Sequence, residues 1–181
     1  VRESRDLSQL LDQLEILGLV EGPVSVFGAS YGGAVGIQLA AIDSRIRAVV
    51  SSSTFASLRD VVPPQAAHHV PAGAWLPSAV LDWIVDDAGE LGGFSPDAAD
   101  TRLAIARTHA RVLLLHGEED RVVPFENARA LQRACAAQCS LVPIPGADHA
   151  EALASPAAGR AALRFLERHG TQPASAGGIA R

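Results

Sequence analysis

Val24-Ser-Val-Phe-Gly-Ala-Ser-Tyr-Gly-Gly33 is the stretch whose reading decides the fold. Val24 to Phe27 has strand character, Gly28-Ala29-Ser30-Tyr31-Gly32 is a Gly-x-Ser-x-Gly turn, and a helix-forming run from Ala34 to Ala41 follows at once. In that context the pattern is a nucleophile elbow. A serine on a strained strand-to-helix turn projects its hydroxyl clear of the backbone, where a base can reach it. A side chain at Gly28 or Gly32 is expected to collide with neighbouring elements. The helix N-terminus beside Ser30 favours developing negative charge.

Working outward, the apolar spacing of Leu7, Leu10, Leu11, Leu14 and Leu17 predicts an amphipathic helix over Asp6 to Leu17, with Ser4 or Asp6 as N-cap and Gly18 ending it. Arg45 to Val50 reads as a short buried strand. It delivers Ser51-Ser-Ser-Thr54 to its C-terminal end, the side of an open α/β sheet where sites assemble. From Phe55 to about Arg107 regular alternation stops. Pro63-Pro64, Pro71 and Pro77 are expected to break the early part, a short helix covers Ser78 to Asp87, and Gly92-Gly-Phe-Ser-Pro96 is a loop. This segment reads as a small cap insertion, 55–107. Trp75, Trp83 and Phe94 could line a substrate pocket there, but packing is the commoner role for such aromatics. His68-His69 reads as a solvated pair before it reads as a metal site.

Alternation resumes with Arg111-Val-Leu-Leu-Leu-His116, a continuous apolar run that predicts a fully buried strand. The loop Gly117-Glu-Glu-Asp-Arg-Val-Val-Pro124 follows, then a helix from Phe125 to about Ala137, a strand from Ser140 to Ile144, the loop Pro145-Gly-Ala-Asp-His149 and a helix from Pro156 to His169. Residues 170–181 are rich in Gly, Ala and Ser and are expected to be disordered. Strand and helix alternate without internal repeats, which predicts an α/β fold with a parallel sheet flanked by helices.

At 181 residues and 48% hydrophobic content the chain is long and apolar enough for one folded domain. Net charge is −5 and no basic run occurs, which argues against nucleic acid as the main partner. All 15 basic residues are arginine, a sign of GC-rich coding more than of function. No apolar run is long enough for a membrane span. The chain opens on Val1 and holds no methionine, so it reads as a fragment or a processed product. Localisation and oligomeric state stay open, with the cytoplasm favoured. Cys135 and Cys139 lack further ligands for a metal, and a disulfide across one helical turn has poor geometry, so two free thiols are expected. No cofactor motif is present.

A serine hydroxyl needs a base to take its proton, and the base needs an orienting acid. In chain order the sequence offers Ser30, acids in the 117–124 loop, and His149, each just after a predicted strand. Three motifs together resemble the α/β-hydrolase superfamily, in its esterase-like and prolyl-oligopeptidase-like members: Gly28-Ala-Ser-Tyr-Gly-Gly33, Leu115-His-Gly-Glu-Glu-Asp-Arg-Val-Val-Pro124 and Gly146-Ala-Asp-His149. The resemblance covers about Leu7 to Arg168. It implies Asp120 as the triad acid, in preference to Glu118 and Glu119 in the same loop, with Ser30 as nucleophile, His149 as base and the Tyr31 backbone N–H as one oxyanion donor. Asp148 is expected to cap the loop and His116 to be structural, while His109 and His169 look like surface residues. The implied substrate is a small acyl ester, a thioester or a short peptide.

The family pattern also implies strands ahead of the elbow and a second oxyanion donor from a loop after the third of them. Neither is visible here, so the chain is expected to be the C-terminal portion of the fold, with one edge of the elbow strand unpartnered. A non-catalytic relic or binding module with the same fold is the alternative reading.

Overall fold

Val112, Leu113, Leu114 and Leu115 are apolar without a break because their strand is covered on both faces. The computed structural model describes residues 2–69 and 75–170, and in it four strands form one parallel sheet. The order is β1 (Val24–Ala29), β2 (Ile46–Ser52), β3 (Arg111–Gly117) and β4 (Cys139–Ile144), each paired with the next. Val112 and Leu114 point into a core with Ile37, Val49, Ile105 and Leu131. Leu113 and Leu115 point the other way, against Val50, Ile144, Ala158 and Ala162. Successive strand residues face opposite sides, so one continuous run serves two cores.

Helices α1 (Arg2–Ile16), α2 (Tyr31–Ile42), α5 (Thr101–Ile105) and α6 (Glu126–Cys135) lie on the first face, and α7 (His149–Ala154) and α8 (Pro156–His169) on the second. Eight successive residues of α2, Gly33 to Ala40, are buried, as expected of a helix enclosed on all sides. Gly36 sets its approach to the sheet: a Cβ there would stand 2.8 Å from Val26 Cγ1. By contrast, α1 is amphipathic but only half covered, with Leu7 38% and Leu10 52% exposed beside the outer edge of β1. That edge pairs with no strand among the described residues, and Phe27 on it is 51% exposed.

Arg45 ties α1 to the sheet. Its guanidinium bonds Asp12 at 2.7 Å and Glu15 at 2.9 Å on α1, the Ser8 carbonyl at 3.1 Å, and Asp43 at 2.6 Å. Asp43 also accepts from Ser8 Oγ at 2.8 Å and the Arg45 N–H at 3.0 Å. The Arg45 hydrogen bonds outweigh the burial that would raise this carboxyl and, with Ser8, lower its pKa from 3.8 to about 2. A depressed carboxylate stabilises the fold fully above its unfolded value, and that stabilisation is lost as pH falls through the folded one. Unfolding in denaturant near pH 5 and near pH 2 should therefore show about 2 kcal/mol of stability lost through this group. The Asp43→Asn chain should lack that portion. An equal pH dependence in parent and variant would rule the assignment out.

Ser4 and Asp6, read as N-caps, lie inside α1, which runs from Arg2, and three further expectations need correction. Pro63 and Pro64 do not break the chain but lie within α3 (Leu58–His69). Proline removes helix hydrogen bonds, yet tertiary contacts hold the helix on both sides of the pair. Leu58 and Val61 pack against the cluster of Ala34, Phe55 and Val123, and Gln65 Nε2 donates to the Val122 carbonyl at 2.7 Å. Second, Cys135 and Cys139 form a disulfide rather than two thiols. They do not share a helix: α6 ends at Cys135, Ala136–Gln138 is a 3₁₀ turn, and Cys139 opens β4, leaving the Cα atoms 5.8 Å apart. Third, the loop ending at His149 continues into α7, which the periodicity did not show.

In the 55–107 segment, Arg59 binds α3 to α4 (Ser78–Gly92) through Asp86 at 2.7 Å and to Asp97 at 2.8 Å. The last helix of this segment, α5, packs into the core through Ile105. Of the tail expected to be disordered, 170–181, Gly170 is ordered as the C-cap of α8, while residues 171–181, and Pro71 in 70–74, lie outside the described residues, as do the side chains of His68 and His69. Among the described residues no helix is long and apolar enough to cross a membrane.

Candidate active site

Register places the site. Ala29 pairs with Ser52, Ser52 with Leu115, and Gly117 with Ile144, so the C-terminal ends of all four strands align at one edge of the sheet. Ser30, Ser53, the loop after Gly117 and the loop after Ile144 all leave from that edge.

Ser30 has φ 49° and ψ −119°, and it precedes the first turn of α2 as its N-cap. Left-handed φ is costly for a residue with a Cβ, and the turn is held in place by its surroundings. The Ser30 N–H donates to the Ser52 carbonyl at 2.8 Å, while the Ser30 carbonyl accepts from Gly33 N–H and Ala34 N–H. A Cβ on Gly28 would stand 2.5 Å from the Gly32 carbonyl oxygen, and one on Gly33 would fall onto Thr54 Oγ1. Gly32, expected to be crowded, has nothing within 4 Å of a Cβ position. The crowded pair is Gly28 and Gly33, because α2 tilts its second residue away from the sheet and its third toward β2. The Tyr31 N–H lies in the first turn of α2, where helix geometry supplies no acceptor.

The acid loop folds around one carboxylate. Asp120, whose side chain is fully buried, accepts at Oδ1 from Val122 N–H at 2.9 Å and Val123 N–H at 2.8 Å. Its Oδ2 accepts from His149 Nδ1 at 2.7 Å and lies 3.4 Å from His116 Nε2. Burial pushes the Asp120 carboxyl up, but the His116 ring 3.4 Å away and the hydrogen bonds from Val123 N–H and His149 outweigh it and hold the group below its usual range. An ionised carboxylate only accepts, so His149 carries a proton on Nδ1, and in the neutral tautomer this fixes, Nε2 is the bare nitrogen. His116, buried at the end of β3, donates from Nε2 to the Val123 carbonyl at 2.8 Å and closes the loop from beneath.

Glu118 and Glu119 are exposed. Their N–H groups donate to the Ile144 carbonyl at 3.2 Å and the Ala147 carbonyl at 3.0 Å, which zips the acid loop to the histidine loop. Asp148, expected to cap the loop, caps α7 instead: its Oδ1 accepts from the N–H groups of Ala150 and Glu151, each at 2.9 Å, and the Glu151 carboxylate accepts from the Asp148 N–H. The Asp148-x-x-Glu151 spacing was a legible signal for that helix. His109 is exposed, whereas His169 packs on Phe165 with centroids 4.8 Å apart.

The structure thus brings Asp120 to His149, and both to the sheet edge that carries Ser30. No hydrogen bond joins Ser30 Oγ to His149 among the described residues. Trp75 and Trp83 are 87% and 63% exposed, so neither packs as expected. Phe94 does line a cavity of about 760 Å³, together with Tyr31, Phe55 and Gln38. The hydroxyl run from Ser51 to Thr54, assigned no role from sequence, lies buried at the C-terminal end of β2, between β1 and β3 in the sheet. Among the described residues no group of three or more His, Cys, Asp or Glu side chains could hold a metal.

A parallel sheet with a serine elbow at one strand end and an acid–histidine pair at two others defines an α/β hydrolase. The chain belongs to the alpha/beta hydrolase family, whose sequence model matches residues 1–163. Solved structures with a similar fold include the esterase domain of a Rhodothermus marinus protein, at 21% identity and TM-score 0.64, covering 92% of this chain and 68% of that one. A puromycin-hydrolyzing peptidase from Mycobacterium tuberculosis aligns at 20% identity and TM-score 0.70 over 95% of this chain and 26% of that one. The Pyrococcus furiosus esterase Pf2001 aligns at 19% identity and TM-score 0.66 over 91% and 61%. No protein of curated function matches the sequence. At these identities the likeness is one of fold.

Proposed function

We propose that this chain is a serine hydrolase that cleaves an ester, thioester or amide through an acyl-enzyme on Ser30. The observation that carries this reading is the 2.7 Å bond from His149 Nδ1 to the buried Asp120, set at the sheet edge where the Ser30 elbow emerges. It leaves Nε2 as the acceptor that a serine proton requires.

In the proposed reaction, Ser30 Oγ bonds to the substrate carbonyl carbon as His149 Nε2 takes the hydroxyl proton. Asp120 stabilises the resulting imidazolium. The carbonyl oxygen becomes an oxyanion facing the Tyr31 N–H, with the positive end of α2 behind it. As the carbon–heteroatom bond breaks, His149 passes its proton to the leaving alcohol, thiol or amine. Water then attacks the acyl-enzyme, giving one proton to His149, and the acid leaves as that proton returns to Ser30 Oγ. The esterases and peptidase that share the fold support the ester and amide part of this substrate class.

A second reading, a fold retained without turnover, is favoured by the missing hydrogen bond between Ser30 and His149. Intact-mass measurement after treatment with a fluorophosphonate separates the two. The hydrolase reading expects one adduct per chain, on the peptide that carries Ser30. Folded protein that takes up no label would overturn it.

A further inference from the structure

Ser30 and Ser53 are the non-glycine residues with positive φ among the described residues. The elbow accounts for Ser30. Ser53, with φ 51°, follows β2 directly and is 2% exposed. Glycine adopts such a conformation freely, so a serine held there is strained unless its neighbours over-determine it. They do. Its N–H donates to the Leu115 carbonyl at 2.8 Å, extending the ladder to β3. Its hydroxyl lies 3.3 Å from the His149 carbonyl, and since a carbonyl only accepts, Ser53 Oγ is the donor.

The next residue makes the matching contact on the other side. Thr54 Oγ1 lies 3.2 Å from the Ser30 carbonyl and 3.3 Å from the Ser52 carbonyl, so its proton is shared between those acceptors. Ser51 Oγ then donates to Thr54 Oγ1 at 2.7 Å. The run after β2 therefore grips the main chain of the nucleophile with one hydroxyl and that of the histidine with another. The Asp120 bond fixes only the Nδ1 end of the His149 ring. Its distance to Ser30 depends on where the backbone of His149 sits, and Ser53 is the residue that holds that backbone to β2.

We propose that Ser53 is a positioning residue that sets the approach of His149 to Ser30, its strained backbone kept for the hydroxyl it aims at the His149 carbonyl. This rests on the triad reading above. Ser53 touches no reacting atom, so its loss should change the rate constant and not substrate binding.

The test compares the parent chain with Ser53→Gly and Ser53→Ala, reading melting temperature, the rate of fluorophosphonate labelling, and kcat and KM on a short-chain p-nitrophenyl ester. Glycine removes the hydroxyl and the backbone strain together; alanine removes the hydroxyl alone. Both variants should lose about tenfold to hundredfold in labelling rate and kcat, with KM within about twofold of the parent. The glycine variant should melt no lower than the parent. Rates within about twofold of the parent in both variants would overturn the proposal and leave the triad reading standing. Rate losses that track a fall in melting temperature in both, or a glycine variant that does not fold, would assign Ser53 to the scaffold and overturn it too. A parent chain that takes no label overturns the triad reading and this proposal with it.

Discussion

Asp120→Asn should lower turnover and fluorophosphonate labelling by about 10³–10⁴-fold while leaving the fold intact, because the amide can sit in only one orientation. The Val122 and Val123 N–H groups both point at Oδ1, at 2.9 and 2.8 Å, so the amide oxygen must occupy that position. The NH₂ group then replaces Oδ2, 2.7 Å from His149 Nδ1. Two donors cannot face each other there, so His149 must shift its proton to Nε2. The nitrogen that should accept the Ser30 proton would already carry one. His116 cannot relieve this, since its Nε2–H is spent on the Val123 carbonyl at 2.8 Å. Asp120→Ala would confuse the result by leaving two N–H groups without an acceptor. Turnover within about tenfold of the parent in a folded Asp120→Asn chain would show that this pair does not set the histidine tautomer.

Gly117→Ala should have the second largest effect, from sterics and not from chemistry. A Cβ on Gly117 would drive into the Ala147 carbonyl oxygen and stand 2.7 Å from the Asp148 carbonyl oxygen. Both obstacles are backbone, and the zip between Glu119 N–H and the Ala147 carbonyl at 3.0 Å resists separation of the loops. The histidine loop must lift away from the acid loop, which opens the bond between His149 and Asp120. The expected cost is about 1–3 kcal/mol of stability and about 10²-fold in labelling rate. Denaturant midpoints and labelling time courses read these separately. A variant labelled at the parent rate would mean that the loops are not coupled through this contact.

Both predictions turn on residues that differ in how openly the sequence displays them. Asp120 stands in a loop with Glu118 and Glu119, and nothing in composition or periodicity separates the three acids. Burial and the paired N–H groups of Val122 and Val123 separate them. Gly117 is one of 16 glycines, and its role depends on Ala147 and Asp148, 30 and 31 residues further along the chain, arriving beside it. Gly32 shows the reverse error: the motif marks it as crowded, and the helix leaves it in open space. The cysteines mislead for a similar reason. A four-residue spacing reads as one helical turn until the helix is seen to end at Cys135.

Local patterning by itself determined the fold class, the four strands and most of the helices, because period-two and near-four periodicities are properties of neighbouring residues. The elbow was likewise legible, since strand, turn and helix are contiguous there. The Pro156–His169 helix, with its serine cap and proline first residue, was readable to the residue. The motif resemblance singled out Asp120, but tertiary structure alone supplied its contact with His149, the run of α3 through two prolines, and the grip of Ser53 and Thr54 on the two main chains of the site. The Asp120 bond joins residues 29 apart and the Ser53 bond residues 96 apart. Contacts at such separations are set by strand register and helix packing, which no local window of sequence contains.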